Sequence, residues 1–378
     1  NKNIKTMNNL KIGITGVSGL IGWHLRAFIE IQNIERLKVA NRNTFQSKDA
    51  LIEFVNGVDV IIHLAGKCRG SRIIESNNNI DHSLIEAIEA SNTLPHIIFS
   101  SSTHIEINQS SEYAQSKILS AKNFQQWSSK TGSKFTNVII PHVFGENGKA
   151  FHNSVVSTFC QQISDGEKIK LLLDKNLDLV HAQNLAKQIY EIARESIVGN
   201  VRIKGVPIKV SQVMSKLIMF DQLYRKQLIP KFENNLDLEL FNTYRSYLPK
   251  SFYPVYFEQH SDERGMLFEA VKTLNKSQCF VSTTKPGITR GNHYHHEKIE
   301  RFVVLSGRAR ISLRKKYQNR VVEYLVDGDH PSYVDIPTFH THKIENIGDS
   351  EMTVLFWSHQ LYDPDDADTY FEEVVDEK

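Results

Sequence analysis

The sequence predicts a doubly wound α/β domain followed by an all-β barrel. Three observations carry this prediction. A glycine-spaced turn, GITGVSGLIG, lies at residues 13–22. Short apolar runs then alternate with amphipathic stretches up to about residue 204. After residue 260 the pattern changes to closely spaced β runs separated by turns.

At 378 residues the chain is long enough that two domains are expected. Hydrophobic content of 40% and charged content of 23% describe an ordinary globular protein. Basic and acidic residues nearly balance, 45 against 43, so there is no electrostatic case for nucleic acid as a partner. Cys68, Cys160 and Cys279 are far apart and form no C-x-x-C pair. Neither a disulfide framework nor a thiolate metal site is predicted, and a reducing cytoplasm is the expected compartment. No run of about 18 apolar residues occurs, so no membrane span is expected. The start, NKNIKT before Met7, lacks the apolar core of a signal peptide and is left out of the fold argument.

The elements follow in order. LKIGIT, RLKVA, VDVIIHLAG, PHIIFSS and FTNVIIP have the apolar character of buried strands, and between them LIGWHLRAFIEI, IDHSLIEAIEA and YAQSKILSAKNFQQW show helical spacing. That alternation implies a parallel sheet covered on both faces. VSQVMSKLIMFDQLYRKQLI is a strong amphipathic packing helix. YRSYLPKSFYPVYFEQH, residues 244–260, carries two prolines and no regular period, so a linker is placed there. The expected domains are residues 7–246 and 250–378. The second contains MLFEAVK, QCFVSTT, RFVVLSG, RARISLRKK, VVEYLVDGD, SYVDIP and TVLFWS, a series of short strands, and ends on the acidic EEVVDEK.

The first candidate site is built on the glycine turn. Gly16 permits a tight turn, Gly19 lets backbone approach a pyrophosphate, and Gly22 lets the helix pack closely on the sheet. The helix start then offers unpaired amides and roughly half a positive charge to phosphates. Gly16, Ser18, Gly19, Leu20, Ile21 and Gly22 are the candidate phosphate-side residues. Arg42 in ANRN, at the end of the second strand, suits the 2′-phosphate of NADPH better than NAD. Further on, SSEYAQSKIL holds Tyr113 and Lys117 four apart on one helix face. A nearby ammonium stabilises a phenolate, and each unit of pKa shift represents about 1.4 kcal/mol. Ser102, at the end of the fourth strand, can bind a substrate oxygen.

The second candidate site is rich in histidine: six of the 16 histidines lie between residues 293 and 342. His293 and His295 point the same way on a strand, Glu300 follows, and His342 lies on a later strand. Imidazoles plus a carboxylate suit one divalent ion, with zinc expected and iron, nickel or manganese as alternatives. His296 is an alternative ligand to His295.

T-G-x-x-G-x-x-G, the strand-end serine and Y-x-x-x-K together resemble the extended short-chain dehydrogenase/reductases, which implies a Rossmann domain. HLAG is similar to that family's stretch beside the adenine and ribose, implying cofactor contacts for Leu64, Ala65 and Gly66. The resemblance implies that Tyr113 protonates the substrate oxygen and Lys117 holds the nicotinamide ribose. Dehydratases of the family carry Thr-Asp-Glu where this chain has Ser102, Thr103 and His104, so hydride transfer fits better than elimination of water. The two histidine stretches, ending in Gly307 and Asn346, resemble the cupin motifs and imply a double-stranded β-helix, with Phe339 standing where a glycine is usual.

Over nearly its whole length the sequence resembles the CapF/WbjC/FnlB family of bifunctional nucleotide-sugar enzymes of capsule and O-antigen synthesis. NSVVSTFCQQI, KPGITRGNHYHH, VDIPTFHTHKIENIGD and DADTYF carry the likeness. The resemblance implies that the cupin epimerises a UDP-4-keto-6-deoxy-N-acetylhexosamine at carbon 3. The reductase then uses NADPH to give UDP-2-acetamido-2,6-dideoxy-L-talose, a precursor of UDP-N-acetyl-L-fucosamine. A homodimer through the barrel is also implied. His296 and Tyr324 are candidates for the epimerising base. Two elements depart from the family pattern. IIPHVFG has Ile139 and His142 at the positions of arginine and asparagine, and LVHAQ has His181 where an aspartate is expected. Two alternatives stand beside this reading. In one, a reductase acts on another UDP- or dTDP-sugar and the cupin only dimerises. In the other, the chain is a non-catalytic NADP sensor, which the Tyr113/Lys117 pair disfavours.

Overall fold

The computed structural model describes residues 10–32, 37–171, 173–257, 260–262, 265–267, 270–273, 277–360 and 366–375. The expected start of the first domain at Met7 and the end of the acidic tail lie outside the described residues. The chain forms two compact units. The first joins the residues up to Thr158 with Leu171–Val213, and the second joins Phe159–Lys170 with the chain from Met214 onward.

In the first unit β1 (Ile12–Thr15), β2 (Leu37–Ala40), β3 (Val60–His63), β4 (His96–Ser102), β5 (Phe135–Ile140) and β8 (Gly199–Arg202) form a parallel sheet in the order β2-β1-β3-β4-β5-β8. A second, three-stranded sheet pairs β6 (His142–Phe144), β7 (Asn176–His181) and β9 (Val206–Lys209). Strands β1, β3 and β4 are buried throughout, as an apolar run covered on both faces must be. On one face α1 (Leu20–Glu30) and α7 (Ala182–Arg194) press Leu25, Ile29, Leu185 and Ile189 onto Ile12, Ile62 and Ile98. On the other, α2 (Lys48–Val55), α3 (Ile73–Ala90) and α5 (Glu112–Thr131) bring Phe54, Leu84, Ile88, Phe124 and Trp127 against Ile61, Ile97 and Phe99. The chain reverses its winding direction between β1 and β3, so their carboxyl ends open a crevice at the Gly16 turn and at Leu64.

In the second unit β10 (Gln278–Thr284), β11 (Thr289–Tyr294), β12 (Glu300–Ser306), β13 (Arg308–Lys315), β14 (Val321–Asp327), β15 (Ser332–Ile336), β16 (His340–Asn346), β17 (Met352–Ser358) and β18 (Tyr370–Phe371) build two five-stranded antiparallel sheets. One runs β15-β12-β17-β10 with Val255–Tyr256 at its edge, and the other runs β14-β13-β16-β11-β18. Phe302, Val304, Ile311, Val334, Ile344, Val354 and Phe356 fill the space between them. This is a cupin-like β domain.

Residues 244–257, expected as linker, are packed rather than tethering. Helix α8 (Val210–Arg225) and helix α9 (Asn235–Arg245), the latter missed by periodicity, lead into them. Arg301 and Asp335 pair through two hydrogen bonds of 2.8 and 3.1 Å, fully buried. Tyr224 donates its hydroxyl proton to Asp335, and Arg245 donates to the Ile336 carbonyl at 3.0 Å. The physical reason is aromatic content: Tyr253 and Phe257 cover Val303 and Tyr333 on the outer sheet face.

Candidate active site and metal centre

The turn after β1 is shaped for a close approach. Gly16 has φ +71°, and a Cβ there would meet the Ala65 amide nitrogen at 2.7 Å. A Cβ on Gly22 would meet the Val17 Cα at 2.8 Å, so only glycine allows α1 to start against the turn. Gly19 is the N-cap of α1, with no side-chain cap and no acid in the first turn, which leaves the helix start open to an anion. Thr15 Oγ1 accepts from the amides of Leu64 and Ala65 at 3.1 and 3.0 Å, fixing the Leu64–Ala65–Gly66 loop across the crevice. Arg42 is exposed in the turn after β2, which the Asn41 side chain closes by accepting from Asn43 and Thr44. These residues fit a dinucleotide.

Helix α5 positions the acid. Ser111 caps it by accepting from the Ala114 amide at 3.2 Å, which puts Tyr113 in the first turn and Lys117 one turn later. Burial first, and Cys68 next, push the Tyr113 phenol up to about 12, while a hydrogen bond from Ser102 opposes them. Burial brings the Lys117 ammonium down to about 8, against the pull of Asp81 and Cys68. Its Nζ donates to the Ser100 carbonyl at 2.7 Å and lies 5.9 Å from the Tyr113 ring centre. The phenol therefore keeps its proton near neutrality, as a donor should. Lys117 thus lies beside the Tyr113 ring, and the Ser102 side chain acts on the same phenol.

Several side chains that sequence reasoning passed over support this group. Asn77 accepts from the Lys67 amide at 2.6 Å and donates to Ser116 Oγ at 2.7 Å, tying the loop after Gly66 to α5. His63 bridges Thr15 Oγ1 at 2.9 Å and Asp81 Oδ1 at 3.2 Å, all buried. His104 shares a hydrogen bond of 3.1 Å with Ser102, and its ring is 5.7 Å from that of His142. The only signal for Asn77 and Asp81 was two polar residues four apart on the face of α3 that carries Leu84 and Ile88.

The second unit gathers the predicted ligands. One ligand atom from each of His293, His295, Glu300 and His342 lies within 4.8 Å of every other. Gly291, at φ +107°, makes this possible: a Cβ there would meet the His342 carbonyl oxygen at 2.7 Å, and the register shifts between Gly291 and His293. The Nδ1 atoms of His295 and His342 face the Asp368 and His340 carbonyl oxygens at 2.6 and 3.1 Å. A carbonyl only accepts, so Nδ1 carries a proton in each ring, which leaves Nε2 as the atom that would ligate an ion. Both Nε2 atoms point at Glu300 Oε2, at 2.9 and 3.5 Å, an arrangement that suits a cation between them. Burial, then His342 and His295, bring His293 down to about 3, so it stays neutral and able to ligate. Burial would raise Glu300, but His295 and His342 hold it well below the usual carboxylate range. His296 faces away, its ring 4.5 Å from Tyr370 and 4.9 Å from Phe339. Tyr324 packs on the barrel core and donates to the Lys250 carbonyl at 3.4 Å. Phe339 keeps the left-handed turn without glycine, at φ +55°.

Comparison with known proteins agrees with this architecture. Residues 12–201 match the NAD dependent epimerase/dehydratase family, and residues 260–370 match the polysaccharide biosynthesis C-terminal domain. The crystal structure of capsular polysaccharide assembling protein CapF from Staphylococcus aureus is 30% identical, covers 97% of this chain and 100% of its own, and superposes with a TM-score of 0.61. The chain belongs to the CapF-like nucleotide-sugar biosynthesis family. A second relative, the UDP-2-acetamido-2,6-beta-L-arabino-hexul-4-ose reductase of Pseudomonas aeruginosa, is 28% identical over 96% of this chain and 98% of its own length. A UDP-N-acetylglucosamine 4-epimerase from Methanobrevibacter ruminantium, at 17% identity and TM-score 0.52, covers 64% of this chain and 99% of its own and shares the fold of the N-terminal part. This CapF-like chain is an oxidoreductase of the short-chain dehydrogenase/reductase type. Among the described residues, no helix is long and apolar enough to cross a membrane.

Proposed function

We propose that this chain inverts carbon 3 of a UDP-4-keto-6-deoxy-N-acetylhexosamine in its β unit and reduces the carbon-4 ketone with NADPH in its α/β unit. The product is UDP-2-acetamido-2,6-dideoxy-L-talose, on the way to UDP-N-acetyl-L-fucosamine. One observation carries the reading: a Ser102/Tyr113/Lys117 constellation and a three-histidine, one-carboxylate centre occur in the same chain. The P. aeruginosa relative's name supports the same chemistry.

NADPH, its pyrophosphate held at the Gly16–Gly22 turn, would supply hydride for the carbonyl carbon. Ser102 holds the carbonyl oxygen, Tyr113 gives it a proton, and Lys117 balances the phenolate left behind. Arg42 would hold the 2′-phosphate, which is why NADPH is preferred to NADH in this reading. A divalent ion, zinc first among candidates, would be held by His293, His295, Glu300 and His342 and would polarise a keto oxygen. A ketone at carbon 4 acidifies the hydrogen on carbon 3, which makes inversion there accessible to a base. The homodimer belongs to the same reading.

NADPH absorbance tests it. Wild-type protein should oxidise NADPH when the ketosugar is added, and Tyr113→Phe should lose at least about a hundredfold in rate. Turnover only with a different UDP- or dTDP-4-ketosugar would favour the alternative substrate. Normal turnover by the phenylalanine variant would remove Tyr113 as the acid.

A further inference from the structure

A phenol that gives up its proton in every cycle has to be reloaded, and the side chains around Tyr113 form a row leading away from it. On one side Lys117 is buried, with its ammonium directed at the Ser100 carbonyl. On the other, the Ser102 side chain acts on the Tyr113 phenol and favours its charged form. Ser102 Oγ and His104 Nδ1 share a hydrogen bond of 3.1 Å, and the His104 amide donates to the same oxygen at 3.3 Å. The His104 ring stands edge-on to Tyr113 at 5.9 Å. Ser102 is buried and His104 is half-buried, so the row runs from the reacting group toward solvent.

We propose that His104 returns a proton to Tyr113 through Ser102 after each reduction. The idea rests on the reductase reading above. The proton balance closes: the sugar oxygen gains the phenol proton, and the phenolate takes the Ser102 hydroxyl proton. Ser102 oxygen then takes the proton on His104 Nδ1, while Nε2 binds one from solvent. His104 is left with its proton on Nε2 and returns to the Nδ1 form by exchange with solvent, so each protein group is restored and one solvent proton is consumed per ketone reduced. An imidazole suits the outer place because it can accept at one ring nitrogen as it donates at the other.

The rings beside His104 are those of Tyr113 on α5 and His142 on β6, while Glu106, on the same short helix α4 (His104–Ile107), pairs with Arg202 of β8. Burial first, then His104, disfavour the charged form of His142, while Asp178 opposes them. His104 is a positioning and relay residue; it does not touch the sugar in this scheme.

The test compares kcat against pH for wild type, His104→Gln and His104→Ala with NADPH and the ketosugar. Glutamine can keep hydrogen bonds to Ser102 but cannot pass a proton. Both variants should lose at least tenfold in kcat with a smaller change in KM, and added imidazole should restore His104→Ala several-fold. In cofactor-free protein, Ser102→Ala should shift the His104 imidazole titration followed by ¹⁵N NMR. A His104→Gln variant with wild-type kcat and an unchanged pH profile overturns the relay. So does a His104→Ala variant that imidazole fails to rescue, or a His104 titration indifferent to Ser102. A wild-type protein that never oxidises NADPH sinks the reductase reading instead.

Discussion

His181 Nε2 lies 3.2 Å from Glu146 Oε2, and both side chains are buried. His181 also caps α7, accepting from the Gln183 amide at 3.4 Å, the service an aspartate there would have given. His24 of α1 completes the group, its Nε2 2.9 Å from the Glu146 carbonyl oxygen and 3.7 Å from the carboxylate. One buried carboxylate thus ties the nucleotide-side helix to the start of α7.

Replacing Glu146 with alanine removes the carboxylate between two buried imidazoles and should cost about 3 kcal/mol, measured by urea unfolding at neutral pH. The pH dependence has a definite sign. Burial alone would raise Glu146, but His181 and His24 hold it down to about 2, below its ordinary 4.5. Its contribution is therefore present above about pH 4.5 and lost as pH falls toward about 2. Wild type and Glu146→Ala should converge in stability over that window.

Gly22→Ala places a methyl 2.8 Å from the Val17 Cα and should abolish NADPH binding followed by nucleotide fluorescence. Arg42→Ala, at an exposed position, should leave folding intact and reduce the preference for NADPH over NADH about tenfold or more. Equal loss for both nucleotides would remove Arg42 from the 2′-phosphate site.

Lys117 sets an upper pH limit. Its ammonium is brought down to about 8 by burial, so the charge that balances the phenolate is lost as pH rises through that value. Reductase kcat/KM should fall above about pH 8, and Lys117→Met should be slow at every pH.

Metal content tests the second centre. Wild-type protein should bind one zinc per chain by elemental analysis, and His342→Ala or Glu300→Gln should lose it. Zinc at about a hundred times its Kd should raise the stability of the folded wild type by about 2.7 kcal/mol and leave His342→Ala unmoved.

The legible parts of the sequence are those whose chemistry is local. Gly16 and Gly22 sit six apart in a strand-turn-helix, Tyr113 and Lys117 one turn apart, and His293 and His295 on one strand face. Each of these is a period, and periods survive in one dimension. His24 and Glu146 are 122 residues apart, and nothing near either announced the other. The same holds for Arg301 and Asp335, 34 apart. Phe339 stands where a glycine is usual, yet the turn holds φ +55° with its ring buried against His296. A left-handed residue costs about 1–2 kcal/mol, which burying a phenylalanine offsets.

Proton NMR of the reaction in deuterium oxide tests the central claim most directly. With NADPH and the UDP-4-ketosugar, the product should carry deuterium at carbon 3 and an alcohol at carbon 4. Tyr113→Phe should still exchange carbon 3 and leave the ketone. A reduced product with its original hydrogen and configuration at carbon 3 would contradict the account.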